Sequence, residues 1–181
     1  MVNAKIDFIP FSFCQEDERY VTELYRLCKD QERKLFDLTR NTSDMVELIR
    51  MCLEQPNSIY IAAVEDNDIC GIFSLEDIKY YGDFILEADQ HCIFARHCWG
   101  KKAREIISQY FQYLDDNLKP IKRLVASVPQ QNFGVIKLLK DVGFKLEGTL
   151  EGKLIYPDKN GRPKFYNQLI YSKVNKEIEI E

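Results

Sequence analysis

Residues 90–103, QHCIFARHCWGKKA, concentrate the side chains able to do chemistry. Both histidines of the chain lie here, His91 and His97, each followed by a cysteine, Cys92 and Cys98. Such residues suit metal ligation, thiol nucleophilicity or acid–base work by imidazole. Their positions decide which. The stretch 84–95 reads as a strand, and adjacent side chains on a strand leave opposite faces. His91 and Cys92 therefore cannot share one ion or form a dyad. The other cysteines, at 14, 28, 52 and 70, are scattered, and no second Cys/His cluster completes a tetrahedron, so no metal is expected. Cys98 precedes a predicted helix N-terminus, which favours its thiolate, but no orienting third group accompanies it. Cys28 and Cys52 fall on apolar helix stripes, where a thiol behaves as a small hydrophobe. With no secretion signal, all the cysteines are expected to be reduced.

The backbone of the same stretch suggests another use. A strand ends near Ala95, the turn RHCWG follows, and a helix begins at about Gly100. The first turn of a helix offers N–H groups without intrahelical partners and the positive end of its dipole. Gly100 permits close approach of a ligand to the main chain. Arg96, Lys101, Lys102 and Arg104 surround that end with positive charge. These features suit a pyrophosphate. They equally suit a solvated basic helix start that binds nothing.

The elements that must position this segment can be read from periodicity. Residues 5–12 are a predicted strand. Residues 17–29 are a helix with Val21, Leu24, Tyr25 and Cys28 on one stripe. Residues 31–42 are a short helix or loop. Asp44 and Glu47 form a capping box opening a helix that ends before Pro56. Strands are predicted at 58–64, 69–78 and 84–95, joined by turns at 65–68 and 79–83. Ala103, Ile106, Ile107, Tyr110, Phe111, Leu114 and Leu118 form the longest helical stripe, stopped by Pro120. A strand at 121–128 and a helix at 131–142 follow, closed by Gly143 in a left-handed cap. Strands at 144–156 and 164–174 complete the chain, with 175–181 as a flexible tail. The strand–helix–strand unit 84–128 predicts one parallel strand pair within an otherwise antiparallel sheet.

Composition sets wider bounds. The 181 residues, 45% hydrophobic and 30% charged, suit a single domain over 1–181. A net charge of -4 argues against nucleic acid or an anionic membrane as partner. No apolar run approaches the length of a membrane span, and the first residues are interrupted by Lys5, Asp7 and Pro10, so a cytoplasmic protein is expected.

The order of strand, glycine turn, helix, strand, VPQQN (128–132), helix and GFKLEG (143–148) resembles the GCN5-related N-acetyltransferase (GNAT) superfamily. Within it, the chain resembles the branch that acetylates protein N-terminal amines, including ribosomal proteins. The form Trp99-Gly100-x-x-Ala103 also resembles divergent, often phage-borne members. The resemblance implies an α/β fold with a mixed, mostly antiparallel sheet, helices on both faces, and a central parallel pair splayed to receive acetyl-CoA. It implies that the pantetheine arm lies along 86–95 like an added strand, and that an N–H among Ile93, Phe94 and Ala95 faces the thioester carbonyl. It further implies that Arg96 and Trp99 to Ala103 (with Gly100, Lys101 and Lys102) hold the pyrophosphate, and that Asn132 reaches the pantetheine.

The implied reaction is direct attack of a primary amine (a protein N-terminus, a lysine or a small amine) on the acetyl-CoA thioester, without metal. Glu87, Asp89 and His91 share one strand face, and the ordinary pKa of His91 suits a general base. His91 is the candidate base with Glu87 behind it; a packed, hydrogen-bonded core histidine is the alternative. Glu32, Asp37, Glu151, Asp158, Tyr156, Phe165 and Tyr166 are candidates for walling the acceptor site. Lys102 stands where the usual cradle has glycine, and Leu139 where many relatives have the tyrosine that protonates the leaving thiolate. These two departures keep open a catalytically weak or inactive CoA-binding or interaction protein. A monomer or homodimer is expected.

Overall fold

The computed structural model describes residues 5–12, 17–31, 57–157 and 162–178, together with 47, 50, 52, 54 and 160. The expected short element at 31–42, the capping residue Asp44, and Glu32, Asp37 and Asp158 lie outside the described residues, apart from Gln31. So does most of the helix expected after Asp44, of which Glu47, Arg50 and Cys52 are described and helical.

The strands are β1 (Asp7–Phe11), β2 (Ile59–Glu65), β3 (Asp68–Tyr81), β4 (Phe84–Phe94), β5 (Arg123–Pro129), β6 (Lys145–Pro157) and β7 (Pro163–Val174). Among the described residues, the α-helices described from end to end are α1 (Glu18–Asp30), α2 (Lys101–Asn117) and α3 (Phe133–Asp141). The strands form one seven-stranded sheet in the order β1-β2-β3-β4-β5-β7-β6. β4 and β5 run parallel and every other neighbouring pair is antiparallel, as the strand–helix–strand unit predicts.

Two turns show why the chain reverses where it does. Asp66 and Asn67, at φ of 49° and 68°, make the two-residue turn between β2 and β3. These residue types tolerate the left-handed region, which matches the twist of a hairpin. The next turn is Gly82-Asp83, because β3 continues through Lys79 to Tyr81. The expected turn at 79–83 is thus mostly strand. A bulge in β3, with Asp77 at φ 49°, interrupts the alternation that marked its end in the sequence.

Helices cover both faces. On one, Tyr110 of α2 stacks on Phe73 with ring centroids 4.0 Å apart, and Phe8 packs on Tyr110 at 5.9 Å. On the other, Phe11 packs on Tyr20 of α1 and on Tyr60 of β2. α3 lies beside α2 and buries Leu139 on its inner side. Gly143, at φ 93°, ends it as the sequence predicts, and Phe144 N–H donates to Leu139 O at 2.9 Å. Beyond β7, Asn175 N–H donates to Lys122 O at 2.8 Å, which ties the first residue of the expected tail to the sheet.

Candidate active site

The site forms where the parallel pair comes apart. β4 and β5 pair at Ala88–Leu124 and Asp89–Val125, with a bridge at Ile85–Ile121. Past Asp89 they diverge, while β4 continues to Phe94 and β5 to Pro129. Ala95 N–H donates to Cys70 O at 2.8 Å, so the main chain of Ala95 faces β3. Strand alternation gives Ile93 the same direction and turns the main-chain groups of Phe94 and Cys92 into the divergence. Consistent with this, Phe94 O accepts not from β3 but from Gln31 Nε2 at 2.7 Å and Trp99 Nε1 at 3.2 Å. Of the three residues expected to supply an N–H to a thioester, Phe94 alone is oriented to do so. The Ala95 N–H is already spent.

A cavity of about 650 Å³ opens at this divergence. Ile93, Phe94, Trp99, Gly100, Ala103 and Asn132 line it, all of them expected cofactor contacts. At one end is the start of α2. Cys98 N–H donates to Ala95 O in a short 3-10 turn, Arg96–Cys98, and Gly100 then begins the helix at φ 79°, ψ -123°. That conformation belongs to glycine. No side-chain cap closes this helix end, so its first N–H groups remain available to an anion. Asn132 caps α3 by accepting from Val135 N–H at 3.4 Å through Oδ1, a contact that leaves its amide N–H₂ uncommitted to the cap.

The basic residues divide. Arg104 lines the cavity, next to Asp141, with which it pairs at 3.1 Å. Lys102 turns away and pairs with Glu65 at the end of β2. Lys101 is exposed and pairs with Glu105 at 3.4 Å. Arg96 donates to Asp30 O at 2.6 Å. None of these last three lines the cavity, so the expected ring of positive charge reduces to Arg104 and the helix end. Gln31 and Lys137 also line it. Gln31 escaped the sequence reading because it reaches the site through tertiary packing at the end of α1, and no local pattern marks it.

His91 projects from the face of β4 opposite to Cys92, which lines the cavity. It is exposed, so it is not a packed core histidine. Its Nε2 lies 3.7 Å from Glu76 Oε2. Glu76 is buried, accepts from Ser74 Oγ at 2.8 Å, and hydrogen-bonds Tyr60, whose hydroxyl is held protonated by burial and then by the Glu76 charge. Asp89, on the same face, has its carboxyl pushed up by burial, an effect that His91 opposes. Glu87 does not stand behind His91 as expected. Its two oxygens accept from Lys79 at 2.7 Å and Arg123 at 2.6 Å, and Arg123 also pairs with Glu147. Taking a proton there would disrupt two ion pairs. Leu139 is a buried core residue, and Tyr166 packs under Lys164 on β7 rather than in the cavity. Cys98, expected to be activated by the helix end, is buried, and burial pushes its thiol up to about 12.

No protein-family model and no curated sequence matches the chain. Solved structures do. A ribosomal-protein-alanine N-acetyltransferase from Brucella melitensis is 16% identical, over 92% of this chain and 99% of that one, with a TM-score of 0.67. A spermidine N-acetyltransferase SpeG chimera from Vibrio cholerae and hSSAT is 15% identical over 94% and 96%, with a TM-score of 0.73. The putative acetyltransferase yncA from Salmonella typhimurium, solved with acetyl-CoA, is 15% identical over 97% and 96%, with a TM-score of 0.68. The chain has the fold of the GCN5-related N-acetyltransferases, as its sequence resemblance implied. Among the described residues, no helix is long and apolar enough to cross a membrane.

Proposed function

We propose that this chain is an acetyl-CoA-dependent N-acetyltransferase acting on a primary amine. The observation that carries this reading is the cavity between the diverging ends of β4 and β5, bounded by an uncapped helix start. Its chemistry fits acetyl-CoA along its length. The main-chain groups of Cys92 suit an amide of pantetheine, which then completes the sheet edge, and the N–H of Phe94 is left for the thioester carbonyl. The first N–H groups of α2, with Arg104, suit the pyrophosphate. The Phe94 carbonyl takes no part, since the N–H groups of Gln31 and Trp99 already occupy both its lone pairs.

The acceptor amine approaches from the His91 face. His91, steadied by Glu76, takes a proton from the ammonium directly or through one water. The neutral nitrogen attacks the thioester carbon, and the Phe94 N–H stabilises the negative charge on the carbonyl oxygen. The C–S bond then breaks, giving the amide and the CoA thiolate, which takes up a proton. The same steps serve a protein N-terminus, a lysine or a small amine as acceptor.

One observation favours a second reading, a CoA-binding protein with weak or no turnover. Leu139 replaces the expected acid and is buried in the core. Thermal stabilisation by acetyl-CoA and by free CoA, followed by thiol release with a panel of amines and peptides, separates the readings. Stabilisation with turnover supports the transferase. Stabilisation without turnover supports the binding protein. No stabilisation by either ligand removes both.

A further inference from the structure

The two cysteines nearest the start of α2 do not stand alone. Cys70, the third residue of β3, sits opposite Ala95, and their strands are joined there by Ala95 N–H donating to Cys70 O. The 3-10 turn that follows folds back, with Cys98 N–H donating to Ala95 O at 2.9 Å. Strand register and turn together bring Cys98 over Cys70, with His97 alongside. One ligand atom from each of Cys70, His97 and Cys98 lies within 4.8 Å of the others. Donors around a tetrahedral zinc ion stand about 3.5–3.8 Å apart, from metal–ligand bonds of about 2.0–2.3 Å, so shifts of about 1 Å close the site.

The donor set selects the ion. Two sulfurs and an imidazole suit zinc and exclude the hard cations magnesium and calcium. Cys70 and Cys98 are fully buried, where a lone charge is costly. Two thiolates against a doubly charged cation leave no net charge, and the adjacent Lys102–Glu65 pair is itself neutral. Entry is also provided. His97 is exposed and lines a second cleft, of about 680 Å³, bounded by α1, by Asn67 of the β2–β3 turn and by Asp68 at the start of β3. This cleft is distinct from the cofactor cavity and shares no lining residue with it.

We propose that Cys70, His97 and Cys98 bind a zinc ion that clips β3 to the turn leading into α2, with a fourth position open to water from the cleft. Binding releases the two thiol protons to solvent. This proposal runs against the expectation from sequence, in which no metal is bound. It does not depend on acetyl transfer.

The test uses the full chain, stripped with a chelator under reducing conditions and titrated with zinc alone against a chromophoric chelator. One zinc per chain is expected, with a thiolate-to-cobalt absorption band when cobalt replaces it. His97 is exposed, so His97→Ala should keep the fold, checked by circular dichroism. It should weaken zinc by more than roughly 100-fold, since losing even an outer-shell partner costs about 10–100-fold. Cys98→Ser should do the same, while Cys28→Ala should bind as the parent does. Absence of zinc binding in the parent overturns the proposal, and so does parental affinity in both His97→Ala and Cys98→Ser. A Cys70–Cys98 disulfide that persists in reductant and blocks zinc, seen as a mass lower by two hydrogen atoms, overturns it as well.

Discussion

His91 Nε2 faces Glu76 Oε2 at 3.7 Å across the β3–β4 pair, and Ser74 and Tyr60 fix the carboxylate from behind. The imidazole is exposed while its partner is buried. An exposed histidine with a fixed, anionic neighbour is placed to accept a proton from solvent-borne substrate and to keep one ring orientation while doing so.

Replacing His91 by alanine should therefore lower acetyl transfer by about 10²–10⁴-fold, the usual contribution of a positioned base. Stabilisation by CoA should be retained, because His91 lies outside the cavity. Glu76→Gln should give a smaller fall and a shifted pH profile. Steady-state thiol release across pH checks both, and parental turnover in His91→Ala removes it as the base.

Gly100→Ala tests the helix start. At φ 79° and ψ -123° a Cβ is strained even though nothing crowds it within 4 Å. A cost of about 1–2 kcal/mol should lower Tm by roughly 2–8 °C. CoA should also bind more weakly, as the free N–H groups of α2 shift. Calorimetric melts and titrations with CoA measure the two effects separately.

Arg104 and Lys102 should behave oppositely despite being two residues apart. Arg104 lines the cavity, and Arg104→Met should weaken CoA by about 10–100-fold, the value of a charge-assisted hydrogen bond of about 1.5–3 kcal/mol. Lys102 is paired with Glu65 outside it, so Lys102→Met should leave CoA affinity within about twofold, since a partly exposed ion pair contributes little. Equal losses in the two variants would show that the cradle is wider than the cavity described.

Acid stability depends in part on Glu147. Its carboxyl is held below the ordinary range, first by the hydrogen bond from Ser172 and then by Arg123. A depressed carboxyl stabilises the fold above its unfolded value, about 4.3, and that contribution fades as pH falls through the lower folded value. Glu147→Gln should therefore lower Tm at about pH 7, with the gap to the parent closing below about pH 4. Melts across that range check the sign.

Much of this architecture is legible in local pattern. The helical stripe from Ala103 to Leu114 and the strands on either side predict the parallel pair, and Gly143 marks the end of α3. The site is less so. Charge near Gly100 predicts a basic cradle, yet Lys102 is drawn to Glu65, 37 residues earlier. Glu87 has the right type and parity for a base, but Arg123 reaches it from the next strand. Gln31 enters the cavity through packing of α1. Cys70 meets Cys98 through the β3–β4 register, which a linear count of cysteines does not contain. In each case the decisive partner is remote in sequence, and local periodicity carries no information about it.

The divergence of β4 from β5 also leaves two edges inside the sheet rather than only at its rims. Interior edges are hazards, open to slippage and to pairing with foreign strands. Here Gln31 and Trp99 blunt part of one by occupying the Phe94 carbonyl, while the amides of Cys92 and Phe94 face the divergence. A ligand that bonds to them does more than fill a cavity. It supplies missing rungs of the ladder, so CoA should slow deuterium uptake at Cys92 and Phe94 more than at the already paired Ala95.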